Sequence, residues 1–112
     1  MKRELSYTAE YLEFFESANK RTKDKLNYAI EILRSMDVIS TKFVKKLVNT
    51  DFYELRVSVD NEVRVILFTV DNDNINSARQ VILLNGFVKK STGDYEREVE
   101  RAITILKNNI PL

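Results

Sequence analysis

The hydrophobic period of this chain changes near residue 50, and that change constrains its fold more than any other feature. Before it, Tyr11, Phe14, Phe15 and Ala18 fall at i, i+3, i+4 and i+7, and Leu26, Ala29, Ile30, Leu33 and Met36 keep the same rhythm. Such spacing lines one face of a helix. Thr8 and Thr22 are positioned to cap helices over about 9–19 and from there to Met36, since a hydroxyl there can accept from the free N–H groups of a first turn. The short break between the two suggests a helical hairpin. After residue 50, Tyr53, Leu55, Val57 and Val59 alternate with Glu54, Arg56 and Ser58, which is the pattern of a strand with one buried face. A second strand is expected over 63–70, then a turn at Asp71-Asn72-Asp73-Asn74, then a third strand over about 78–88 whose run Val81-Ile82-Leu83-Leu84 is apolar on both sides. Ser91 to Asp94 offers several caps for a last helix over 94–107. That helix is lined by Tyr95, Val99, Ala102, Ile103 and Leu106, and Asn108, Asn109 and Pro111 end it.

A short strand at 3–7, two helices, three consecutive strands and a final helix read as one α+β domain over residues 1–112, with an antiparallel sheet packed on the first two helices. No repeat or linker interrupts it. The chain has no cysteine and no histidine. Disulfides and thiolate sites are thereby excluded, as are the commonest metal ligand and the commonest general base. Any chemistry must use Lys, Arg, Tyr, Asp or Glu, with no metal or other cofactor expected. The N-terminus lacks the apolar stretch of a signal peptide, and no apolar run approaches a membrane span, so a cytoplasmic protein without membrane contact is expected.

The charges nearly balance, at 18 basic and 17 acidic, but residues 41–93 hold eight basic against six acidic side chains. The first hairpin decides which of them share a face. A three-residue loop at 60–62 pairs Ser58 with Arg64 and Arg56 with Ile66. It sets both arginines on one face near Glu54, and leaves Tyr53, Leu55, Val57, Val63, Val65 and Leu67 as a continuous core on the other. Arg64 stands inside the apolar run 63–68, where a charge is costly unless exposed or paired. A solvated position, a pairing with Glu54 and a functional site all account for it. Lys89 and Lys90 follow the third strand, where exposed backbone N–H groups favour anions, although a solvated lysine pair has the same spacing. Tyr95 reads as a core-edge aromatic or as a phenol within reach of a ligand. Lys42, Lys45 and Lys46 flank Phe43 and Val44 and are candidates to follow an RNA backbone, or simply a solvated face. No phosphate-binding loop, nucleophile elbow or calcium loop is present.

Four segments occur together and in order: Phe52-Tyr53-Glu54-Leu55-Arg56, Val63-Arg64-Val65-Ile66-Leu67-Phe68, Val81 to Lys90 with its Leu84-Asn85-Gly86-Phe87-Val88-Lys89-Lys90, and Glu96-x-Glu98-x-Glu100-Arg101-Ala102. Over about residues 50–107 this resembles the phage-derived HigB-like branch of the RelE/ParE toxin superfamily. Asn85 stands where that branch often has histidine. The resemblance implies a small fold with a curved antiparallel sheet. It also implies the toxin of a type II toxin–antitoxin system, an mRNA endoribonuclease that works without metal, usually on the ribosome, and is silenced by a helix-turn-helix antitoxin. By matching segments, Arg56, Arg64, Lys89, Lys90 and Tyr95 take the catalytic places, and Lys42, Lys45 and Lys46 remain RNA-binding candidates. Two alternatives stay open: an inhibitor of the ParE kind that cuts no RNA, and an inactive module acting only with a DNA-binding antitoxin.

Overall fold

The computed structural model describes residues 2–109. The elements run β1 (Glu4–Tyr7), α1 (Ala9–Ser17), α2 (Lys20–Ser35), β2 (Val44–Lys46), β3 (Phe52–Ser58), β4 (Glu62–Thr69), β5 (Gln80–Lys89) and α3 (Gly93–Asn109). The strands form one sheet in the order β1-β5-β4-β3-β2. The expectation of an antiparallel sheet holds for β2 to β5, but β1 runs parallel to β5, so the sheet is mixed. The long connection through two helices brings β1 back alongside β5, as a parallel pairing requires. Strand β2 lies in the lysine-rich stretch that carries no alternating pattern, and it covers the edge of β3.

Helix α1 is capped as its sequence suggests: the Thr8 hydroxyl accepts from the Tyr11 N–H and donates to the Leu84 carbonyl. Helix α2 starts earlier than expected. Its cap is Asn19, whose Oδ1 accepts from Thr22 N–H, and Thr22 is a buried residue of the first turn. The two helices make their main contacts with different strands, α1 with β5 and α2 with β3. The Arg3 guanidinium is buried beyond the end of α2 and donates to the Leu33, Met36 and Ile75 carbonyls, satisfying groups that the helix end leaves open.

The hairpin of β3 and β4 has a three-residue loop, but over 59–61 rather than 60–62. Ser58 therefore pairs with Glu62, and Arg56 lies directly opposite Arg64. The shift moves the pairing by two residues and keeps the parity, so the two faces are those expected. Leu55, Val57, Val63, Val65 and Leu67 join Tyr11, Leu26, Ile30 and Leu33 in the larger core, on the α1/α2 face. Phe52, Ile66, Leu84 and Phe87 join Ala102 and Ile105 in a smaller one, on the α3 face. In α3 the buried face includes Ile105, and Ile103 is exposed. The proposed helix stop at Pro111 lies outside the described residues.

A register shift between Ile66 and Leu67 leaves Leu84 as an extra residue in β5, because Ile66 pairs with Asn85 and Leu67 with Leu83. This bulge sets both Leu84 and Asn85 toward α3. It also brings Gly86 against α1: a Cβ there would lie 2.3 Å from the Phe14 ring, so only glycine lets the helix pack this closely.

Candidate functional site

The apolar core on the α3 face does not extend over the whole sheet. At the end of β3 and β4 near their shared loop, the residues pointing toward α3 are Glu54, Arg56, Arg64 and Glu62, and β5 adds Phe87 and Lys89 opposite Arg64 and Glu62. Strand alternation places them together, since every one of them occupies a position where a neighbour in the same strand faces the large core.

Arg64 is buried, and each of its nitrogens is engaged. Nε donates to the Tyr95 hydroxyl at 3.1 Å, Nη1 to the Val63 carbonyl at 3.0 Å and Nη2 to Glu62 at 3.1 Å. The solvated reading of Arg64 therefore does not hold. Pairing with Glu54 does occur, at 3.8 Å, and Glu54 is itself buried and reaches Arg56 Nε at 3.3 Å. One carboxylate thus holds two guanidinium groups, and its second oxygen, Oε2, is buried with no hydrogen-bond partner. Burial works against the charge on Arg64, but the Tyr95 hydroxyl, Glu62 and Glu54 outweigh it, so its proton is held more tightly than usual. Burial, and then the Glu54 carboxylate, push the Tyr95 phenol above its ordinary range. Glu62 is held below the usual carboxylate range by the Ser58 hydroxyl and then by Arg64. Its place in this network was not legible, because it reads as part of a turn.

Arg56 differs from Arg64. It is partly exposed, and its Nε is held by Glu54. It lines a cleft of about 430 Å³ together with Arg64, Lys42 and residues of α2. Tyr95 packs its ring edge against Phe87, with centroids 5.6 Å apart, and Lys89 Nζ sits 5.5 Å from the Tyr95 ring centre. Such a contact favours a cation above an aromatic face. Lys90 is exposed, and its backbone N–H donates to Asp94. Ser91 N–H donates to the same carboxylate oxygen, and these two bonds hold Asp94 below its ordinary value. Nearby, the Asn85 amide donates to the Glu98 carboxylate and carbonyl, and its own Oδ1 is buried without a partner.

Five residues expected at the site thus separate. Arg56, Arg64, Tyr95 and Lys89 form one connected cluster, and Lys90 lies at its border. The RNA-binding candidates separate as well: Lys42 lines the cleft beside Arg56, while Lys45 and Lys46 line a second, more apolar cleft of about 530 Å³ between the β2–β3 turn and α3. Glu54 and Tyr95 form the inner wall of that second cleft. Among the described residues no three His, Cys, Asp or Glu side chains are gathered to hold a metal ion. No helix among them is long and apolar enough to cross a membrane.

The family model of the phage-derived Gp49-like proteins matches residues 13–107. No curated protein matches the sequence. Among solved structures, the fold is similar to that of a double arginine-to-alanine mutant of the E. coli toxin RelE in the free state, with a TM-score of 0.65 and 14% identity over 90% of this chain and 98% of that one. It is also similar to a chain of the intact E. coli RelBE toxin–antitoxin complex, with a TM-score of 0.57 and 15% identity over 81% of this chain and 100% of that one.

Proposed function

This chain belongs to the phage-derived Gp49-like family, a family of the RelE/HigB toxin type, and from that premise we propose that it is the toxin of a toxin–antitoxin pair and an endoribonuclease acting on mRNA in the ribosomal decoding site. The observation that carries the reading is the charged cluster on the α3 face, where two arginines line a cleft and one of them holds a protonated tyrosine whose ring carries a lysine. A structural role alone does not account for it, since buried charges cost desolvation energy that an apolar filling would avoid.

The reaction uses these side chains and water. The ribose 2′-oxygen gives its proton to a water molecule and attacks the adjacent phosphorus. The bond from phosphorus to the 5′-oxygen breaks, and that oxygen takes up a proton, leaving a 2′,3′-cyclic phosphate and a 5′-hydroxyl. Arg56 is partly exposed, lines the cleft, and is the residue to contact the phosphate as its charge grows. Arg64 has a partner for every nitrogen, so it acts as a positioning residue that fixes Tyr95. Tyr95 keeps its proton at neutral pH and serves as the donor to the departing 5′-oxygen. Lys89 is the basic group beside it, Lys90 supports it from the border, and Lys42, Lys45 and Lys46 follow the RNA backbone. A partner antitoxin, in the simplest case of the helix-turn-helix kind, covers this face in the growing cell.

The test is induced expression in a bacterial host with mapping of mRNA 5′ ends, alone and with the neighbouring gene product. Growth arrest with new mRNA ends inside coding regions, relieved by the neighbour, is expected. The complete engagement of Arg64 favours one other reading, a toxin that binds its target without cutting RNA. Growth arrest with intact mRNA would select that reading.

A further inference from the structure

We propose that the cleft beside Arg56 is a nucleobase-stacking subsite, with Tyr28 as its platform, that seats the nucleotide next to the scissile phosphate. The inference rests on the nuclease reading above and extends it to residues outside the charged cluster.

The cleft runs over the edge of the sheet, from Arg56 and Arg64 on the α3 face to Lys25 and Tyr28 of α2, with Lys42 and Phe43 forming the wall between them. Strand β2 begins only at Val44, so the edge of β3 beyond Arg56 is left open there. Tyr28 is 63% exposed and lies outside the packed stripe of α2, with Asp24, Lys25 and Glu31 exposed beside it. Its ring centroid lies 6.1 Å from that of Phe43, with the planes inclined by 59°. Phe43 packs on the core, which explains its presence, but core packing does not explain an exposed ring at Tyr28. Lys42 Nζ lies 5.8 Å from the Phe43 ring centre.

Charge and size point the same way. Four of the lining residues are basic, and Glu62, the one acid among them, is already bonded to Ser58 and Arg64. Lys25 and Lys42 make no ion pair among the described residues. A volume of about 430 Å³ suits a ligand of nucleotide size. Exposed aromatic faces interleaved with cations are how proteins hold unpaired bases, because every base offers a π-face and every linkage a negative charge. A base lying on Tyr28 brings its phosphate to Arg56, and neither contact depends on base identity. The ligand class is therefore single-stranded RNA with weak sequence preference.

The experiment measures fluorescence anisotropy of a 5′-labelled, single-stranded 2′-O-methyl RNA hexamer, which cannot undergo attack by its own 2′-hydroxyl, on the full chain at low salt. An abasic oligonucleotide of equal length is the control. Tyr28→Ala should weaken binding of the hexamer on the order of tenfold, and leave the abasic control unchanged. Tyr28→Phe should retain wild-type affinity. Lys25→Ala should weaken both ligands and lower the slope of affinity against salt. Equal affinity of Tyr28→Ala and wild type for the hexamer would overturn the proposal, as would a wild type that does not bind it. Loss of antitoxin binding by Tyr28→Ala with unchanged hexamer affinity would make the cleft a protein-docking site and also overturn it. A chain that binds the hexamer through Tyr28 yet leaves cellular mRNA intact would remove the nuclease reading and keep the subsite.

Discussion

The two faces of the central sheet are made from alternate residues of the same three strands, yet different physics holds them. Toward α1 and α2 the contacts are mainly apolar, with Leu55, Val65, Leu67 and Leu83 fully buried. Toward α3 an apolar half built on Ile66, Leu84 and Ala102 adjoins a charged half built on Glu54 and Arg64, which are equally buried. Burial on the first face removes hydrocarbon from water and stabilises the fold. On the second it removes charges from water, which costs free energy that the ion pairs only partly return. On the function proposed above, such a cluster beside an apolar core of the same strands assigns function to this face and stability to the opposite one.

Breaking the charged face should have the largest effect. Arg64→Ala leaves the Glu54 carboxylate buried between fewer partners, and a loss of about 3–5 kcal/mol is expected in urea unfolding, together with loss of RNA cleavage. Adding Glu54→Ala should recover much of that stability and none of the activity. Recovery of activity in the double variant would contradict the assignment of function to this face. Leu83→Ala, on the apolar face, should cost about 2–5 kcal/mol. Cleavage per folded molecule should be unchanged, and a fall in it under conditions where the variant is fully folded would erase the contrast between the faces.

Much of this contrast was legible in the sequence. Alternation in Tyr53 to Val59 and Val63 to Phe68 sorted the residues onto two faces, because parity survives a shift of two in pairing. The pairing itself did not survive: a turn centred one residue earlier sets Arg56 against Arg64, and both versions of the loop bury the same apolar set. The parallel pairing of β1 with β5 and the short strand β2 depend on contacts distant in sequence, for which local pattern carries no signal. The network around Arg64 was only half visible. Glu54 could be named as a partner from register, whereas Glu62 was read as part of the turn rather than as the start of β4, and the Tyr95 hydroxyl reaches Arg64 from α3, which strand spacing does not identify. The Leu84 bulge, which sends Asn85 toward Glu98, was hidden within a continuous apolar run.

The next effect separates neighbours within the charged face. Lys89 contacts the Tyr95 ring and Lys90 engages the cluster only through its backbone. Lys89→Ala should therefore lower cleavage several-fold more than Lys90→Ala in a side-by-side assay of RNA product formation. Equal effects would mean that the pair supplies only diffuse charge.

The smallest effect concerns the joint between β5 and α3. Asp94 is bonded by the Lys90 and Ser91 N–H groups, and its value is depressed from 3.8 in the folded chain. A depressed carboxylate stabilises the folded state above its unfolded value and loses that contribution as pH falls through the lower folded value. The difference in urea midpoint between wild type and Asp94→Asn should thus be constant above pH 3.8 and shrink below it. A difference that grows on acidification would show that Asp94 is not held by those N–H groups.

The claim that function resides on the charged face, apart from stability, is tested most directly at Arg56. It is partly exposed, and its removal leaves Arg64 to balance Glu54. RNA cleavage and urea unfolding should be measured together on Arg56→Ala. The account predicts cleavage reduced by about 10²–10³ with a smaller loss of stability than Arg64→Ala gives, since Arg56 is partly exposed and Arg64 stays beside Glu54. Full cleavage by a stably folded Arg56→Ala protein would contradict it.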